Sequence, residues 1–509
     1  MQVKNYFLKF YLKSILRLNL PKDILKFGFN RNQKKIAIHD NNKEVSYEEL
    51  YLNGKNLAFS LEQRGIKKGD SIGILMNNSI EYFEIRIASY ILGTLLVPII
   101  QDIDFNEIKR IIDLCNIKII FYNPEIIGKK ANFLDRDLIK IPVSDKLNDY
   151  ENLKKIKGFF SKRKIYPKDL ASINFSSGTT GCPKGIMLTN QNWINSLYSY
   201  IINSSGENLK EMKVLHILSL STAGGTMFLP SWMLGFKNYF TKYFNEKKVV
   251  ELILKNNIDF IFISPIEMIK LLEHCKENEI RLPLKKIIIG TERIPKPKLI
   301  ESINYFGPII QIGYGMAEAL PPITLNSKND YLINNKINEK IIYSVGKPLK
   351  GVIIKIINKD NNPIKEGHIG RIIIKSKTVS KGYLKNLELT KKRFKKGWFI
   401  SNDYGFFKNG YLHILGREED LITEDGMLFT GDIEDFLYGF KDIKEVCVIK
   451  DNGIINIFLA LKNNKKQEII SLLDNKYKYL DLAFKINFIE SIPINASGKI
   501  NRKKLLESL

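Results

Sequence analysis

The chain has 509 residues, 44% of them hydrophobic and 26% charged, a balance that excludes general disorder and gives enough length for two to four domains with cores of their own. Lysine and arginine outnumber aspartate and glutamate by 79 to 54, a formal net charge of +25. The excess suits anionic partners, but it is spread along the whole chain, whereas nucleic-acid recognition gathers charge on one face and adds a reading module, so no nucleic acid is expected as a partner.

From the N-terminus, the first thirty residues alternate aromatic and aliphatic side chains with Lys4, Lys9, Lys13 and Arg17. The pattern predicts a lead-in helix packed on the domain, with peripheral contact to an anionic membrane as the alternative. Ser71–Met76 and Ile117–Tyr122 read as buried strands, with helical periods around Glu81–Tyr90 and Phe105–Leu114 between them, the alternation of an α/β protein. The uncharged run Ile87–Gln101 is too short to cross a bilayer, and Val214–Phe236 is interrupted by Ser219, Gly224, Gly225 and Pro230; both predict buried strand, loop or helix. Phe260–Ile263 and Ile287–Ile289 continue the strand series, and Val352–Ile357 and Arg371–Ile374 lie in a region that reads as all-β. A compact mixed segment follows the charged string Gly416-Arg-Glu-Glu-Asp420, placing a boundary between residues 1–416 and 417–509.

Cys115, Cys182, Cys275 and Cys447 form no CxxC pair, so neither a disulfide framework nor a zinc site is expected and a reducing cytoplasm fits. The five histidines make no HExxH motif or close pair.

The densest chemical signal is Phe175-Ser-Ser-Gly-Thr-Thr-Gly-Cys-Pro-Lys-Gly185. Gly178, Gly181 and Gly185 let backbone approach an anion closely, while Ser176, Ser177, Thr179 and Thr180 supply hydroxyl donors and Lys184 a compact positive charge, a composition suited to a polyphosphate. It departs from the common nucleotide loop, because Pro183 precedes the lysine and Gly185 stands where a hydroxyl residue is needed.

This loop resembles the phosphate-binding signature of the AMP-forming acyl-CoA synthetase, adenylation-domain and luciferase superfamily, and the remaining motifs of that series follow in order. The resemblance implies a large N-terminal domain of two α/β sheets plus a small β-barrel, and a mobile C-terminal α+β lid that swings between two half-reactions. It implies that Gly313-Tyr-Gly-Met-Ala-Glu318 supplies a tyrosine, Tyr314, stacked on adenine and a magnesium-binding glutamate, Glu318, with Gly313, Gly315 and Ala317 around the nucleotide. Thr291, Glu292 and Arg293 of Gly290-Thr-Glu-Arg-Ile-Pro295 would form the other wall of the adenine pocket. Asp403 of Lys396-Gly-Trp-Phe-Ile-Ser-Asn-Asp403 would accept hydrogen bonds from both ribose hydroxyls, with Arg417 beside it and Glu419 as the hinge. Lys499, in Ile492-Pro-Ile-Asn-Ala-Ser-Gly-Lys499, would be the lid lysine that bridges carboxylate and α-phosphate, and with Glu318, Thr179 and Lys184 would carry the chemistry.

The implied activity is ATP-dependent activation of a fatty or aryl acid as an acyl-adenylate, with ATP and Mg2+, and then transfer to coenzyme A. An acyl-carrier protein as acceptor, or a catalytically impaired nucleotide-binding scaffold, are the competing readings. Ala317 replaces the usual threonine, Asn402 the usual glycine, Thr423 a lysine after the hinge, Ile312 a frequent amide residue, and Ser221-Thr222 an aromatic-histidine pair. Leu218–Gly225 contains no acid to pair with an amino-acid ammonium, which disfavours the amino-acid-activating branch.

Overall fold

In the computed structural model the described residues are 17–40, 43–128, 137–144, 146–158, 160–161, 163–176, 183–204, 211–326, 330, 332–333, 336–338, 341–424, 427–463, 465–477 and 483–509. They form the mixed α/β architecture expected from the strand and helix periods.

One six-stranded sheet runs in the spatial order Ile139–Pro142, Ile117–Tyr122, Ser71–Leu75, Leu95–Pro98, Leu170–Ser176, Lys184–Thr189. Its strands are parallel except the last, which returns antiparallel. Ser71–Leu75 is buried along its whole length, which is why its sequence is a continuous apolar run rather than an alternating one. The helices between strands start and stop on local signals. Ser46 and Glu49 form a reciprocal capping box at Tyr47–Gln63, and Ile80–Leu92 begins at the Ser79 side chain and ends at Gly93 with φ 71°, the left-handed turn that glycine adopts without strain.

The second sheet has nine strands, with a parallel centre of Ile310–Met316, Lys286–Ile289, Phe260–Ile263, Lys213–His216, Lys237–Phe240 and Ile36–Asp40. The uncharged run after Val214 resolves into the end of one strand, a 3₁₀ turn at Ala223–Met227 and the helix Phe228–Leu234. Among the described residues no helix is long and apolar enough to cross a membrane. Trp232 of that helix is buried and donates through Nε1 to the Leu25 carbonyl at 2.8 Å. The described part of the N-terminal segment, helix Pro21–Asn32, is thus packed on the domain; Lys4, Lys9 and Lys13 lie outside the described residues.

The region expected as a small β-barrel contains a five-stranded antiparallel sheet of Ile353–Ile357, Gly370–Lys375, Trp398–Lys408, Phe394–Lys395 and Tyr411–Arg417. After Arg417 the chain builds a further sheet, Ile443–Asp451, Ile454–Leu461 and Phe484–Phe488. The helices Thr430–Leu437 and Lys466–Tyr477 join it around an apolar cluster that includes Ile433, Leu437, Val448, Ile457 and Leu473.

Candidate active site

Open α/β sheets bind ligands beyond the carboxyl ends of their strands. There Lys184, Thr291, Gly313, Gly315, Ala317, Glu318, Asp403, Arg417, Glu419 and Lys499 line one cavity. These positions span most of the chain length, and strand ends and one loop bring them together. Lys184 opens the strand Lys184–Thr189 and sits opposite Ser176 in the antiparallel pairing, so both ends of the glycine-rich loop are anchored on the sheet. Ser177, Gly178, Thr179, Thr180 and Gly181 lie outside the described residues.

Glu318 follows Ile310–Met316, and the Tyr383 hydroxyl donates to its Oε1 at 3.0 Å. Burial holds its carboxyl above the usual range, opposed by the Tyr383 hydrogen bond and the Arg417 charge. A largely buried carboxylate on the cavity wall fits magnesium, which takes one or two protein carboxylates and completes its shell from phosphate and water. Three further polar atoms on the wall, Thr291 Oγ1, Asn402 Oδ1 and Glu419 Oε1, are buried with no hydrogen-bond partner among the described residues. Thr291 also holds φ at 80°, a conformation that costs a β-branched residue about 1–3 kcal/mol and is characteristic of ligand sites.

Asp403 and Arg417 are cross-strand neighbours on the antiparallel hairpin, with Arg417 Nε 3.6 Å from Asp403 Oδ1. The Tyr314 hydroxyl donates to Asp403 Oδ2 at 2.5 Å. Its ring packs against the apolar cluster that includes Ala319, Ile323 and Ile354, and its hydroxyl orients the Asp403 carboxylate.

Lys499 is carried by a tight loop. Asn495 accepts through Oδ1 from the amides of Ser497 and Lys499 at 2.9 and 3.0 Å, its own amide donates to the Lys499 carbonyl at 2.8 Å, and Gly498 holds φ at 78°. A Cβ on Gly498 would lie 2.6 Å from Leu218 Cδ2 and 2.9 Å from Glu267 Oε1, so only glycine lets the loop seat this deeply. The Ala496 amide donates to Asp102 Oδ2 at 2.7 Å. Burial pushes the Lys499 ammonium below the usual lysine range, opposed by the carboxylates of Glu292, Asp403 and Glu318 and reinforced by Arg417.

Two expected nucleotide residues are placed elsewhere. Glu292 is not part of the wall, although its charge reaches Lys499. Arg293 turns away from the cavity because it finds a carboxylate and a carbonyl in the C-terminal segment, Asp435 and Gly431. Tyr383 and Asp102 join the site without having been singled out, and Asn402, noted only as a departure from glycine, brings an amide side chain to the wall. A tyrosine after glycine, an acid after glutamine and an asparagine in a strand carry no local sign of such roles.

A profile of the AMP-binding enzyme family matches residues 27–384. The chain belongs to the AMP-binding enzyme family. A curated relative, the 2-succinylbenzoate–CoA ligase of Oceanobacillus iheyensis, is 26% identical over 488 residues, 93% of this chain and 96% of the relative. Among solved structures, the amide bond synthetase McbA of Marinactinospora thermotolerans matches with a TM-score of 0.81 at 18% identity, over 96% of this chain and 100% of its own. The o-succinylbenzoate coenzyme A synthetase MenE of Bacillus subtilis, in complex with AMP, matches with a TM-score of 0.79 at 23% identity, over 95% of this chain and 97% of its own. At these identities the two structures show a shared fold.

Two predictions arise from the site of this AMP-binding enzyme. Lys184→Ala is expected to raise the KM for MgATP about ten-fold or more, the loss of one charge-assisted phosphate contact, with thermal stability nearly unchanged because the residue lies at a strand end beside the cavity. Initial-rate kinetics with varied ATP measure this, and an unaltered KM would remove the lysine from the phosphate site.

The second concerns Glu267, third residue of its helix, which shares a capping box with Ser264 and lies against the Gly498 turn. Burial, and to a smaller extent the Glu292 charge, push its carboxyl up from 4.5 to about 7, against the Ser264 hydrogen bonds. The folded state therefore binds a proton that the unfolded state has released, and its contribution to stability declines as pH rises from about 4.5 to about 7 and is level above that. Glu267→Gln removes this slope, so its stability relative to the parent should climb through that window to a gain on the order of 2–3 kcal/mol at pH 8. Urea unfolding at pH 4.5 and pH 8 tests it; an equal difference at both values counts against the buried, protonatable carboxyl.

Proposed function

We propose that this AMP-binding enzyme joins a neutral apolar or aryl carboxylic acid to coenzyme A in two steps. In the first, a carboxylate oxygen bonds to the α-phosphorus of ATP as the bond from that phosphorus to the bridging oxygen breaks, releasing pyrophosphate. In the second, the thiol sulfur attacks the acyl carbon, AMP leaves, and the thiol proton passes to solvent. Two anions must meet in the first step, so the protein's contribution is cation, orientation and exclusion of water. Lys499 suits the point of convergence, since a compact ammonium with three donors can contact both carboxylate and α-phosphate. Lys184 holds the outer phosphates, and Asp403, fixed by Tyr314, receives the ribose diol beside Arg417. Glu318, oriented by Tyr383, would hold Mg2+, which would neutralise polyphosphate charge.

The observation that carries this reading is that Lys499, from the C-terminal segment, reaches the same cavity as Lys184, Glu318 and Asp403. The acid's class is supported by the apolar wall of Met227, Phe262, Ile288 and Leu320, by the acid-free segment Leu218–Gly225, and by the relative's name, an aryl-acid ligase. The test is ATP-dependent pyrophosphate release across a panel of aryl and fatty acids, with coenzyme A and an acyl-carrier protein offered separately as acceptors. Release with an aryl or fatty acid and product only on coenzyme A is expected. Product only on the carrier protein would replace the acceptor, and no release with any acid would overturn the reading.

A further inference from the structure

The seam between the large domain and the C-terminal segment contains an ion pair that no step of the chemistry uses. Arg293 follows the cavity residues Gly290 and Thr291 in sequence, yet its guanidinium donates to the Gly431 carbonyl at 3.0 Å and to the Asp435 carboxylate. The other Asp435 oxygen accepts from the Lys296 amide at 2.7 Å. Only 18% and 12% of the Arg293 and Asp435 side chains are exposed, so this pair is screened by solvent far less than a surface bridge. A planar fork meeting a carboxylate whose second oxygen is fixed by a backbone amide is directional. Rotation of the C-terminal segment about Glu419 would break all three bonds together.

A second link carries the constraint to the catalytic loop. Glu445, on the strand against which the Asp435 helix packs, accepts from Lys270 of the large domain at 2.7 Å and from the Ile492 amide at 2.6 Å. Ile492 opens the segment that ends in Lys499.

We propose that Arg293 and Asp435 are positioning residues for Lys499: their pair holds the C-terminal segment in the orientation that delivers the lysine to the cavity, and selects that orientation over the one used for thiol transfer. The proposal rests on the reading of Lys499 as the adenylation lysine. By linkage, a contact present in only one of two orientations shifts the balance between them by its full differential energy.

The test uses full-length Asp435→Asn, Arg293→Ala and Arg293→Lys. Seating is read without catalysis, from hydrogen exchange of the Ala496 amide, which bonds to Asp102 across the seam. For Asp435→Asn and Arg293→Ala the expected result is exchange at Ala496 about ten-fold faster and acyl-adenylate formation about ten-fold slower, with transfer from a supplied acyl-adenylate to the thiol undiminished. Arg293→Lys should recover part of both losses, since it keeps the charge and loses the fork. Unchanged exchange at Ala496 overturns the proposal, as does an equal fall in both half-reactions, which is the signature of a merely structural contact. A parent protein inactive with every acid would count against the proposed function, while the exchange result still decides the role of the pair.

Discussion

Lys499→Ala is expected to lower acyl-adenylate formation by about 10³-fold, the scale set by removing a preorganised charge from a developing anionic centre, while transfer from a supplied acyl-adenylate to the thiol stays within a few-fold of the parent. The asymmetry follows from position. The ammonium is useful where carboxylate and α-phosphate converge, and once the acyl-adenylate exists that repulsion is gone. The cavity already depresses the lysine through burial, so its removal leaves Glu292, Glu318 and Asp403 with less compensation and should weaken nucleotide binding as well. Pyrophosphate release and single-turnover thioester formation measure the two steps. Equal loss in both would show that Lys499 supports the loop fold and takes no part at the reacting atoms.

Glu419→Pro is expected to do the reverse, keeping adenylation within about three-fold and lowering thiol transfer by about 10²-fold or more, because a fixed φ denies the pivot its second setting. The local geometry supports this direction. Glu418–Asp420 is one 3₁₀ turn, whose φ of about −50° to −70° brackets the value that a proline ring imposes. The present orientation should therefore accept the substitution. Loss of adenylation with retained transfer would mean that proline selects the other orientation, and no difference between the steps would remove Glu419 as a pivot.

What could be read from the sequence, and what could not, divides along the range of the interactions. Ile117–Tyr122 and Phe260–Ile263 were legible to the residue because a strand among parallel neighbours must be apolar wherever it is buried, Lys118 being the exposed exception, and that demand is local. The cavity residues Lys184, Glu318, Asp403 and Lys499 were legible because each stands in a motif whose spacing is set by one strand end or one tight loop. Tyr383 and Glu318 are 65 residues apart, and Asp102 and Ala496 are 394 apart; neither pairing leaves a periodic trace. Arg293 shows the opposite hazard. Its neighbours Gly290 and Thr291 face the cavity, but a long guanidinium goes to the most favourable acceptor within reach, and Asp435 is 142 residues away.

The hairpin that brings Asp403 opposite Arg417 ends two residues before the proposed pivot at Glu419. Asp403 belongs to the body of the protein, whereas Arg417 is the last residue before the turn on which the C-terminal segment would rotate. On the proposed reading a ribose held between them sits on the near side of the joint while Lys499 reaches the same cavity from the far side, so turning the joint would alter the grip on the nucleotide. By reciprocity the nucleotide's affinity and the joint's angle are one equilibrium, and AMP would serve both as leaving product and as a brake on the return stroke. On that reading, added AMP should slow the resetting of the joint even in the absence of any acid.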